Sequence, residues 1–319
     1  MRVAVSVVLW RPSPEDLTTL ARSLAAWKHG PVLVHVNEDD GSVVRRIEAL
    51  LPSAEVTGSR RNDGFAGGHN ALLGAAFAAH IDAVVVHNPD LVLEPGAVEA
   101  MLAAADATNT PTLVGPALQL ATGGTLAGEG LVDSLGIVWT RSSRHFDSGQ
   151  GQIWEPPSGP PRAVAGVSGA CLLVTKPVHD KVVALSGEFF DEDFIAYRED
   201  AELAFRAGLL GVPSIVVFDA HGRHARGSRG TSRGASKHID RLGVRNRFLL
   251  AAKYGRHRPG GLLRPLARDA IVVAGVLLRE RSSAGGLWEA LRLRRHMREK
   301  GRRVLDVARV TSKAAARLD

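Results

Sequence analysis

The chain begins with MRVAVSVVLWRPSPEDLTTLARSLAAWKHGPVLVHV, residues 1–36, in which two apolar runs flank a helical pattern. Residues 2–9 are mostly apolar and β-branched, which is typical of a strand covered on both faces. Ser13-Pro14-Glu15 then opens a helical pattern that runs to Trp27, because Ser favours the N-cap and Pro the first helical position. Residues 31–36 are again apolar. The stretch therefore predicts a strand, a helix and a second strand.

The same alternation of helix and strand continues along the chain. It predicts a helix at 43–51, a strand at 54–58, a buried strand at 82–87, a helix at 96–105 and a strand at 112–114. This order is typical of a mostly parallel sheet with helices on its faces. Residues 116–161 show no sustained period and predict a long excursion with a few antiparallel strands.

Later elements are an apolar run at 163–174, a helix at 199–210 and a strand at 214–218. A basic, Gly- and Ser-rich loop is predicted at 221–236, followed by helices to the end of the chain. We therefore predict a main α/β domain at residues 1–255 and a basic helical C-terminal extension at 256–319.

Composition limits the class of protein. Of the 319 residues, 45% are hydrophobic and 23% are charged, which is ordinary for a globular protein. The apolar run at 270–278 is shorter than the roughly 20 residues of a transmembrane helix, and residues 1–10 lack the pattern of a secretory signal. The single Cys171 is expected to be a buried structural thiol and fits a reducing compartment. We expect a cytoplasmic protein.

The net charge of +7 is concentrated after residue 221. A basic C-terminal part indicates an anionic partner, for which phospholipid head groups, a diphosphate-linked acceptor and nucleic acid are candidates, or else a solvated basic face. We expect no nucleic acid, because aromatic residues in the basic region are too sparse to stack on bases.

Three groups of residues could carry chemistry. Asn88-Pro89-Asp90 ends a buried strand, where open α/β sheets bind ligands, so Asp90 suits a divalent cation that bridges phosphates, or else simply a turn. Gly64, Gly67 and Gly68 precede a helix and could approach a phosphate, although neither a dinucleotide-binding nor a P-loop pattern is present.

The third group is acidic and opens the helix at residue 199. Glu199, Asp200 and Glu202 are either partners of the helix dipole or a general base beside aromatic residues. Arg206 could pair with these acids or with phosphate. The histidines at 221, 224 and 238 are either solvent-exposed or metal ligands.

Taken together, four motifs resemble the family 2 glycosyltransferases, in particular the bacterial rhamnosyltransferase-like branch that acts on polyprenyl-diphosphate-linked sugars. The motifs are Asn62-x-Gly64-Phe65-Ala66-Gly67-Gly68-x-Asn70, Asn88-Pro89-Asp90, Ser168-Gly169-Ala170-Cys171-Leu172-Leu173-Val174, and Phe190-Asp191-Glu192-Asp193-Phe194 followed by Tyr197-x-Glu199-Asp200-x-Glu202-Leu203-x-x-Arg206. Each motif is weak alone, but the four in this order are specific and cover about residues 1–255.

This resemblance implies a GT-A fold, inversion at the anomeric carbon, and Mg²⁺ or Mn²⁺ as cofactor. It implies that Asp200 is the general base and that Asp90 and His221 contact the metal. The implied donor-binding residues are Asn37, Asp39, Asn62, Gly64, Phe65, Gly67, Asn70, Asn88 and Asp90. The implied acceptor-side residues are Gly169, Tyr197, Glu199 and Arg206.

Two departures from the family pattern leave the donor open. Asn88 stands where the family has the first acid of Asp-x-Asp. The acid that contacts the nucleotide base could be Asp39, or Asn37 could take its place as an amide.

The resemblance implies transfer of a sugar, with L-rhamnose from dTDP-rhamnose as the best guess, to a glycan or polyprenyl-diphosphate-linked acceptor in cell-wall or polysaccharide synthesis. A UDP- or GDP-sugar donor, supplying galactofuranose or mannose, and a non-catalytic nucleotide-sugar-binding protein are the alternatives. The basic tail fits peripheral contact with the inner face of the cell membrane.

Overall fold

The computed structural model describes residues 1–25, 27–121, 130–225, 233–259, 261 and 263–315. Its strands are β1 (Val3–Trp10), β2 (Val32–Asn37), β3 (Ala54–Ser59), β4 (Ala83–His87), β5 (Leu91–Leu93), β6 (Leu113–Leu120), β7 (Leu131–Ser134), β8 (Ile137–Trp139), β9 (His145–Asp147), β10 (Arg162–Val164), β11 (Cys171–Thr175) and β12 (Ser214–His224). Its helices are α1 (Pro14–Leu24), α2 (Ser42–Leu50), α3 (Gly64–Ala78), α4 (Ala97–Asp106), α5 (Lys176–Ser186), α6 (Glu199–Leu209), α7 (Arg233–Tyr254), α8 (Leu263–Arg279) and α9 (Ala284–Ala315).

One large sheet organises the molecule, in the strand order β10-β12-β6-β11-β4-β1-β2-β3. The pairs β1–β2, β2–β3, β1–β4 and β6–β12 are parallel, whereas β11 is antiparallel to both β4 and β6. Apolar side chains of the strands pack into two hydrophobic clusters, which explains why β1 and β4 are apolar except at Ser6 and His87. The predicted α/β fold class is confirmed.

The excursion after residue 116 contains antiparallel strands, as predicted. β6 continues to Leu120 and pairs with β7, and β8 forms a hairpin with β9. Residues 122–129 of the predicted excursion lie outside the described residues. α5 was not predicted from the sequence, although Pro lies in its first turn, where it is favoured.

The last core strand is longer than predicted. β12 runs to His224 because its second half pairs with β6 on one side and with β5 on the other. His221 and His224 therefore lie in a strand and not in a loop. Residues 226–232 of the predicted loop lie outside the described residues.

The glycine-rich segment begins a helix instead of preceding one. α3 starts at Gly64, so Gly67 and Gly68 lie in its first turns. A Cβ atom on Gly68 would lie 2.8 Å from a methyl carbon of Val8, so this glycine lets α3 pack closely on β1. At Gly64 the backbone has φ +73°, and a Cβ atom would lie 2.4 Å from the carbonyl oxygen of Ile195.

We expect Gly64→Ala to lower the free energy of unfolding by roughly 1–3 kcal/mol, because it adds both a left-handed alanine and a backbone clash. Gly74→Ala is the matched control in the same helix, where a Cβ atom meets nothing within 4 Å. That control should be neutral or stabilising by about 0.5–1 kcal/mol. Urea unfolding of the two variants measures the difference, and equal midpoints would contradict the prediction.

The C-terminal helices pack on the main sheet domain. Residues of α7 and α9, among them Leu249, Tyr254 and Met297, form a third apolar cluster with Phe194. Gly301 of α9 lies so close to the backbone of Lys253 in α7 that no Cβ atom would fit there. In the described part of the chain, no helix combines the length and apolarity needed to cross a membrane.

Candidate active site

A cavity of about 470 Å³ lies where β4 ends and α6 begins. Of the predicted site residues, it is lined by Phe65, Asn88, Asp90, Gly169, Tyr197, Glu199 and Asp200. Sequence analysis missed other lining residues, chiefly His145, Phe146, Asp147 and Arg198. The first three belong to β9, in the stretch whose sequence has no clear period. The fold therefore brings the predicted base and the strand-end acid into one cavity.

Asp200 lies in the first turn of α6 and is half-buried. Its Oδ2 accepts a hydrogen bond from the Gly169 amide at 3.1 Å, and its Oδ1 accepts one from the Ala201 amide at 2.7 Å. A Cβ atom on Gly169 would lie only 3.3 Å from the Asp200 side chain, so the glycine permits this approach. Two backbone donors thus fix the carboxylate at the cavity wall.

Glu199 lies beside Asp200 but is 7% exposed. Burial and the neighbouring Asp200 charge raise the pKa of Glu199 to about 8. Its Oε2 has no hydrogen-bond partner among the described residues. At neutral pH Glu199 is therefore mostly protonated, although it lines the same cavity as Asp200.

The raised pKa of Glu199 predicts that the protein loses stability as pH rises. A carboxyl with a pKa near 4.5 when unfolded and about 8 when folded binds more protons in the folded state. Its stabilising contribution is present below pH 4.5 and declines through pH 8, at most by about 1.4 kcal/mol per pH unit. Glu199→Gln should remove this part of the pH dependence. Urea unfolding at pH 5 and pH 8 tests it, and an unchanged pH slope in the variant would contradict the assignment.

Asp90 lies against His224, the last residue of β12. His224 Nε2 is 3.3 Å from Asp90 Oδ1, and His224 Nδ1 is 2.8 Å from Asp133 Oδ2. The burial of His224 opposes a positive charge, but its hydrogen bonds to Asp133 and Asp90 outweigh that effect and raise its pKa to about 9. Asn88 Nδ2 lies 3.2 Å from His224 Nε2. His224 is thus the histidine that joins Asp90.

His221, the predicted metal-contacting histidine, is not brought to Asp90. Its Nδ1 lies 3.6 Å from Glu94 Oε2, and its Nε2 lies 3.3 Å from the carbonyl oxygen of Pro157. The reason is the strand conformation of β12. Successive side chains of a strand point to opposite faces, so His221 and His224, three residues apart, do not share a face.

The donor groups around Asp90 are suited to a hard divalent cation with few protein ligands. Among the described residues, no group of three or more His, Cys, Asp or Glu side chains is arranged to hold a metal ion. Mg²⁺ commonly needs only one or two carboxylates when phosphate oxygens and water complete its shell. Asp90 supplies one carboxylate for that mode of binding, whereas His224, which bridges Asp90 and Asp133 as a positively charged group, is not placed as a metal ligand.

The two residues predicted to contact the nucleotide base are buried, and their side chains form hydrogen bonds with the backbone. Asn37 donates to the carbonyl of Gly64 at 3.2 Å and accepts from the amide of Asp63 at 2.8 Å. Asp39 accepts from the amides of Val43 and Val44 at the start of α2. Neither side chain lines the cavity, so in this structure both act by fixing the loops that follow β2 and β3.

Two of the remaining residues predicted to bind the donor also form hydrogen bonds with the backbone. Asn62 accepts from the Gly64 amide at 2.9 Å, and Asn70 donates to the carbonyl of Phe190 at 2.9 Å. Gly67 lies against Asp63 in the first turn of α3. These contacts position Phe65, whose ring lies in the cavity wall.

Arg206, predicted on the acceptor side, lies away from the cavity. It is fully buried and donates to Glu202, to Ser186 Oγ and to the carbonyls of Glu188 and Phe189. Glu202 in turn accepts hydrogen bonds from Lys253 and Tyr254 of α7. This buried cluster joins α6 to α7 and has no group in the cavity.

The cluster extends to α9. Asp191 is fully buried and pairs with Lys253, and it also pairs with Lys300 of α9. Two helices from the C-terminal part of the chain are therefore tied by charge to the motif that precedes α6.

Comparisons with known proteins agree with this architecture. The chain is 30% identical over 167 residues to the N-acetylglucosaminyl-diphospho-decaprenol L-rhamnosyltransferase of Mycobacterium tuberculosis, a match that covers 50% of this chain and 51% of that protein. The match thus spans about half the length of this curated relative. No family model matches the chain.

Solved structures show the fold. GalNAc-T7 with UDP, GalNAc and Mn²⁺ aligns with a TM-score of 0.58 at 11% identity, over 80% of this chain and 48% of that one. The mannosyltransferase PcManGT from Pyrobaculum calidifontis, in complex with GDP-Man and Mn²⁺, aligns with a TM-score of 0.50 at 15% identity, over 97% and 86%. The chain has the GT-A glycosyltransferase fold, and the predicted resemblance is confirmed.

Proposed function

We propose that this protein is an inverting glycosyltransferase that moves a sugar from a nucleotide diphosphate to a hydroxyl of a lipid-linked or other glycan. The observation that carries the proposal is the meeting of Asp90 and Asp200 in one cavity of about 470 Å³. A single displacement requires the donor sugar to lie between a group that binds the departing diphosphate and a base that takes the proton of the acceptor hydroxyl.

In this mechanism Asp200 takes the proton of the acceptor hydroxyl. The amides of Gly169 and Ala201 hold its carboxylate, so its position is set before the acceptor arrives. Because Glu199 is mostly protonated at neutral pH, Asp200 carries the negative charge of this adjacent pair of acids. The attacking oxygen forms its bond to the anomeric carbon as the bond to the diphosphate breaks.

The diphosphate is assigned to the Asp90 side of the cavity. Asp90 would hold Mg²⁺ or Mn²⁺, and such a cation would neutralise charge that develops on a departing diphosphate. Two of the structural neighbours contain Mn²⁺.

We propose dTDP-rhamnose as donor and a diphosphate-linked N-acetylglucosaminyl lipid as acceptor. The support is the rhamnosyltransferase relative, which is 30% identical over half of this chain. The structural neighbours bind UDP or GDP-Man, so a UDP- or GDP-sugar is the alternative.

A donor panel tests this proposal without an acceptor. Thermal shifts are measured with dTDP-, UDP- and GDP-sugars, each with and without Mn²⁺. A ligand at about 100 times its Kd stabilises the folded state by about 2.7 kcal/mol. We expect a metal-dependent shift with dTDP-rhamnose that Asp90→Asn reduces. A shift with UDP- or GDP-sugars alone would replace the donor, and no shift with any of them would contradict the function.

We also propose that α8 rests on a membrane surface. Its apolar residues Leu263, Leu266, Ile271, Leu277 and Leu278 are 49–81% exposed. At 100° per residue they fall on one side of the helix, opposite the buried Asp269 and Val276. An exposed apolar face flanked by arginines is typical of helices that lie in the interface of anionic bilayers.

Sedimentation with vesicles tests this contact. At low salt the protein should bind vesicles that contain phosphatidylglycerol, and Leu278→Glu should weaken binding by placing a carboxylate on the apolar face. Leu50→Glu is the control, since Leu50 is exposed on α2 and belongs to no such face. Failure of the wild-type protein to bind anionic vesicles would contradict the proposal.

A further inference from the structure

A second cavity adjoins the active site and is lined by arginines. It has a volume of about 540 Å³, and Arg144, Arg198, Arg247 and Arg268 form most of its wall. His145, Phe146, Asp147 and Arg198 line both cavities, so the two spaces lie side by side. We call this space the arginine cavity. It reaches neither Asp90 nor His224.

The arginine cavity carries an excess of positive charge. Arg247 is paired with Asp269 at 2.7 Å, and Asp269 also holds Arg258. Among the described residues, no carboxylate forms an ion pair with Arg144, Arg198 or Arg268. Asp147 is the one acid among the lining residues of this cavity. Three guanidinium groups that form no ion pair with a described carboxylate, beside a single lining acid, favour a bound anion.

Arg198 links the arginine cavity to the catalytic wall. Its Nε donates to the carbonyl of Gly243 at 3.0 Å, and its Nη1 lies 3.3 Å from His145 Nε2. Arg198, Tyr197 and Ile195 have φ values of 72°, 68° and 62°, and positive φ values cost free energy in residues with a side chain. The segment with positive φ values ends at Arg198, two residues before Asp200 in the chain.

The crowding of like charge is visible in two neighbouring groups. Burial and the nearby Arg247 lower the pKa of Arg198 to about 10. Burial, with Arg198 and Arg247, lowers the pKa of His145 to about 3. His145 is therefore neutral, and an anion in the cavity would relieve the repulsion between the arginines.

The neighbouring helix indicates which anion fits. Arg268 lies on α8, the helix whose other side is the exposed apolar face. The order of groups is then Asp200, the arginine cavity and the apolar face of α8. A lipid-linked sugar has the same order of reacting sugar, diphosphate and hydrocarbon chain.

We propose that the arginine cavity binds the diphosphate of a lipid-linked sugar acceptor, a role that rests on the function proposed above. The cavity would then select acceptors by charge at a position distinct from that of the donor diphosphate.

Acceptor preference tests the proposal in the whole protein. Turnover is compared between a short-chain prenyl-diphospho-N-acetylglucosamine and a neutral alkyl N-acetylglucosaminide. Arg144→Gln and Arg268→Gln should each reduce the preference in kcat/KM for the diphosphate acceptor about tenfold, the effect of one charged hydrogen bond. Arg264→Gln, on α8 but outside the cavity, should leave the preference unchanged. Equal preference in wild type and the cavity variants would overturn the proposal.

Binding of inorganic pyrophosphate separates this proposal from the catalytic one. By calorimetry, pyrophosphate should bind protein already saturated with dTDP, and Arg268→Gln should weaken that binding about tenfold while dTDP affinity is kept. Asp90→Asn should instead weaken the binding of dTDP and leave the affinity for pyrophosphate unchanged. Pyrophosphate that competes only with dTDP would overturn the proposal, as would variants that lose pyrophosphate but keep the acceptor preference. Absence of sugar transfer to every acceptor, with the pyrophosphate results intact, would instead count against the proposed function.

Discussion

Asp200→Asn should reduce kcat by about 10²–10⁴-fold, because the amide cannot accept the proton of the acceptor hydroxyl. The amide oxygen can still accept a hydrogen bond from the backbone at Gly169 or Ala201, so the fold of the cavity wall should be kept. The affinity for the donor should change less than threefold, since the base acts only in the transition state. Steady-state kinetics and a donor thermal shift measure the two effects.

Asp180→Asn is the matched control for this variant. Asp180 is an exposed acid on α5 that pairs with Lys176, away from the cavity. Its kcat should equal that of the wild type. If Asp200→Asn kept full turnover, Asp200 would not be the base. If it lost donor binding in parallel with kcat, the carboxylate would have to contact the donor.

Arg206→Ala should produce the largest loss of stability, by about 3–5 kcal/mol, because it leaves buried carboxylates with too little compensating charge. Arg206 and Glu202 are both 0% exposed, and the arginine also satisfies Ser186 and two backbone carbonyls. Arg206→Lys should recover only part of the loss, since an ammonium group cannot reproduce the planar set of hydrogen bonds. The midpoint of urea unfolding, at constant m, measures both variants.

An exposed ion pair supplies the control for this second prediction. Arg309 lies 3.5 Å from Asp306 on α9, and both side chains are more than half exposed. Arg309→Ala should cost less than about 1 kcal/mol. A loss of similar size for Arg206→Ala would mean that the buried cluster does not stabilise the fold.

The buried cluster also sets the response to acid. Burial opposes the charge of Glu202, but Arg206 and Lys253 hold its pKa well below the ordinary value for a glutamate. A lowered folded pKa contributes stability above about pH 4.5 that is lost as pH falls further. Glu199 acts in the opposite sense, since its raised pKa lowers stability as pH rises toward 8.

The parts of the fold that follow simple periodicity could be predicted from the sequence. β1 and β4 are mainly apolar because helices cover both faces of the sheet, and the acid after β4 lies where such sheets bind ligands. Asp200 could be placed at a helix start because α6 has a clear helical pattern that begins at Glu199. These features depend mainly on neighbouring residues in the chain.

Other features depend on contacts that are distant in sequence. The second half of β12 contains Asp219, His221 and Arg223, a polar composition that predicts a loop. Its pairing with β5 and β6 makes this segment a strand. That pairing is what places His224 at Asp90.

Helix geometry alone was enough to predict that Arg206 does not lie beside Asp200. Six residues correspond to about 1.7 turns of an α-helix, so Arg206 and Asp200 cannot share a helix face. Phe146 and His145 come from a hairpin in a stretch without a sequence period, and nothing local indicated that they would reach the cavity.

An assay of sugar transfer is the direct test of the proposed function. Purified protein is incubated with dTDP-rhamnose, Mn²⁺ and a short-chain prenyl-diphospho-N-acetylglucosamine, and the product is identified by mass spectrometry and NMR. We predict an acceptor that carries one added deoxyhexose with inverted anomeric configuration, and no such product from Asp200→Asn. No product from the wild type with dTDP-, UDP- or GDP-sugars, despite donor binding, would contradict the proposed glycosyltransferase function.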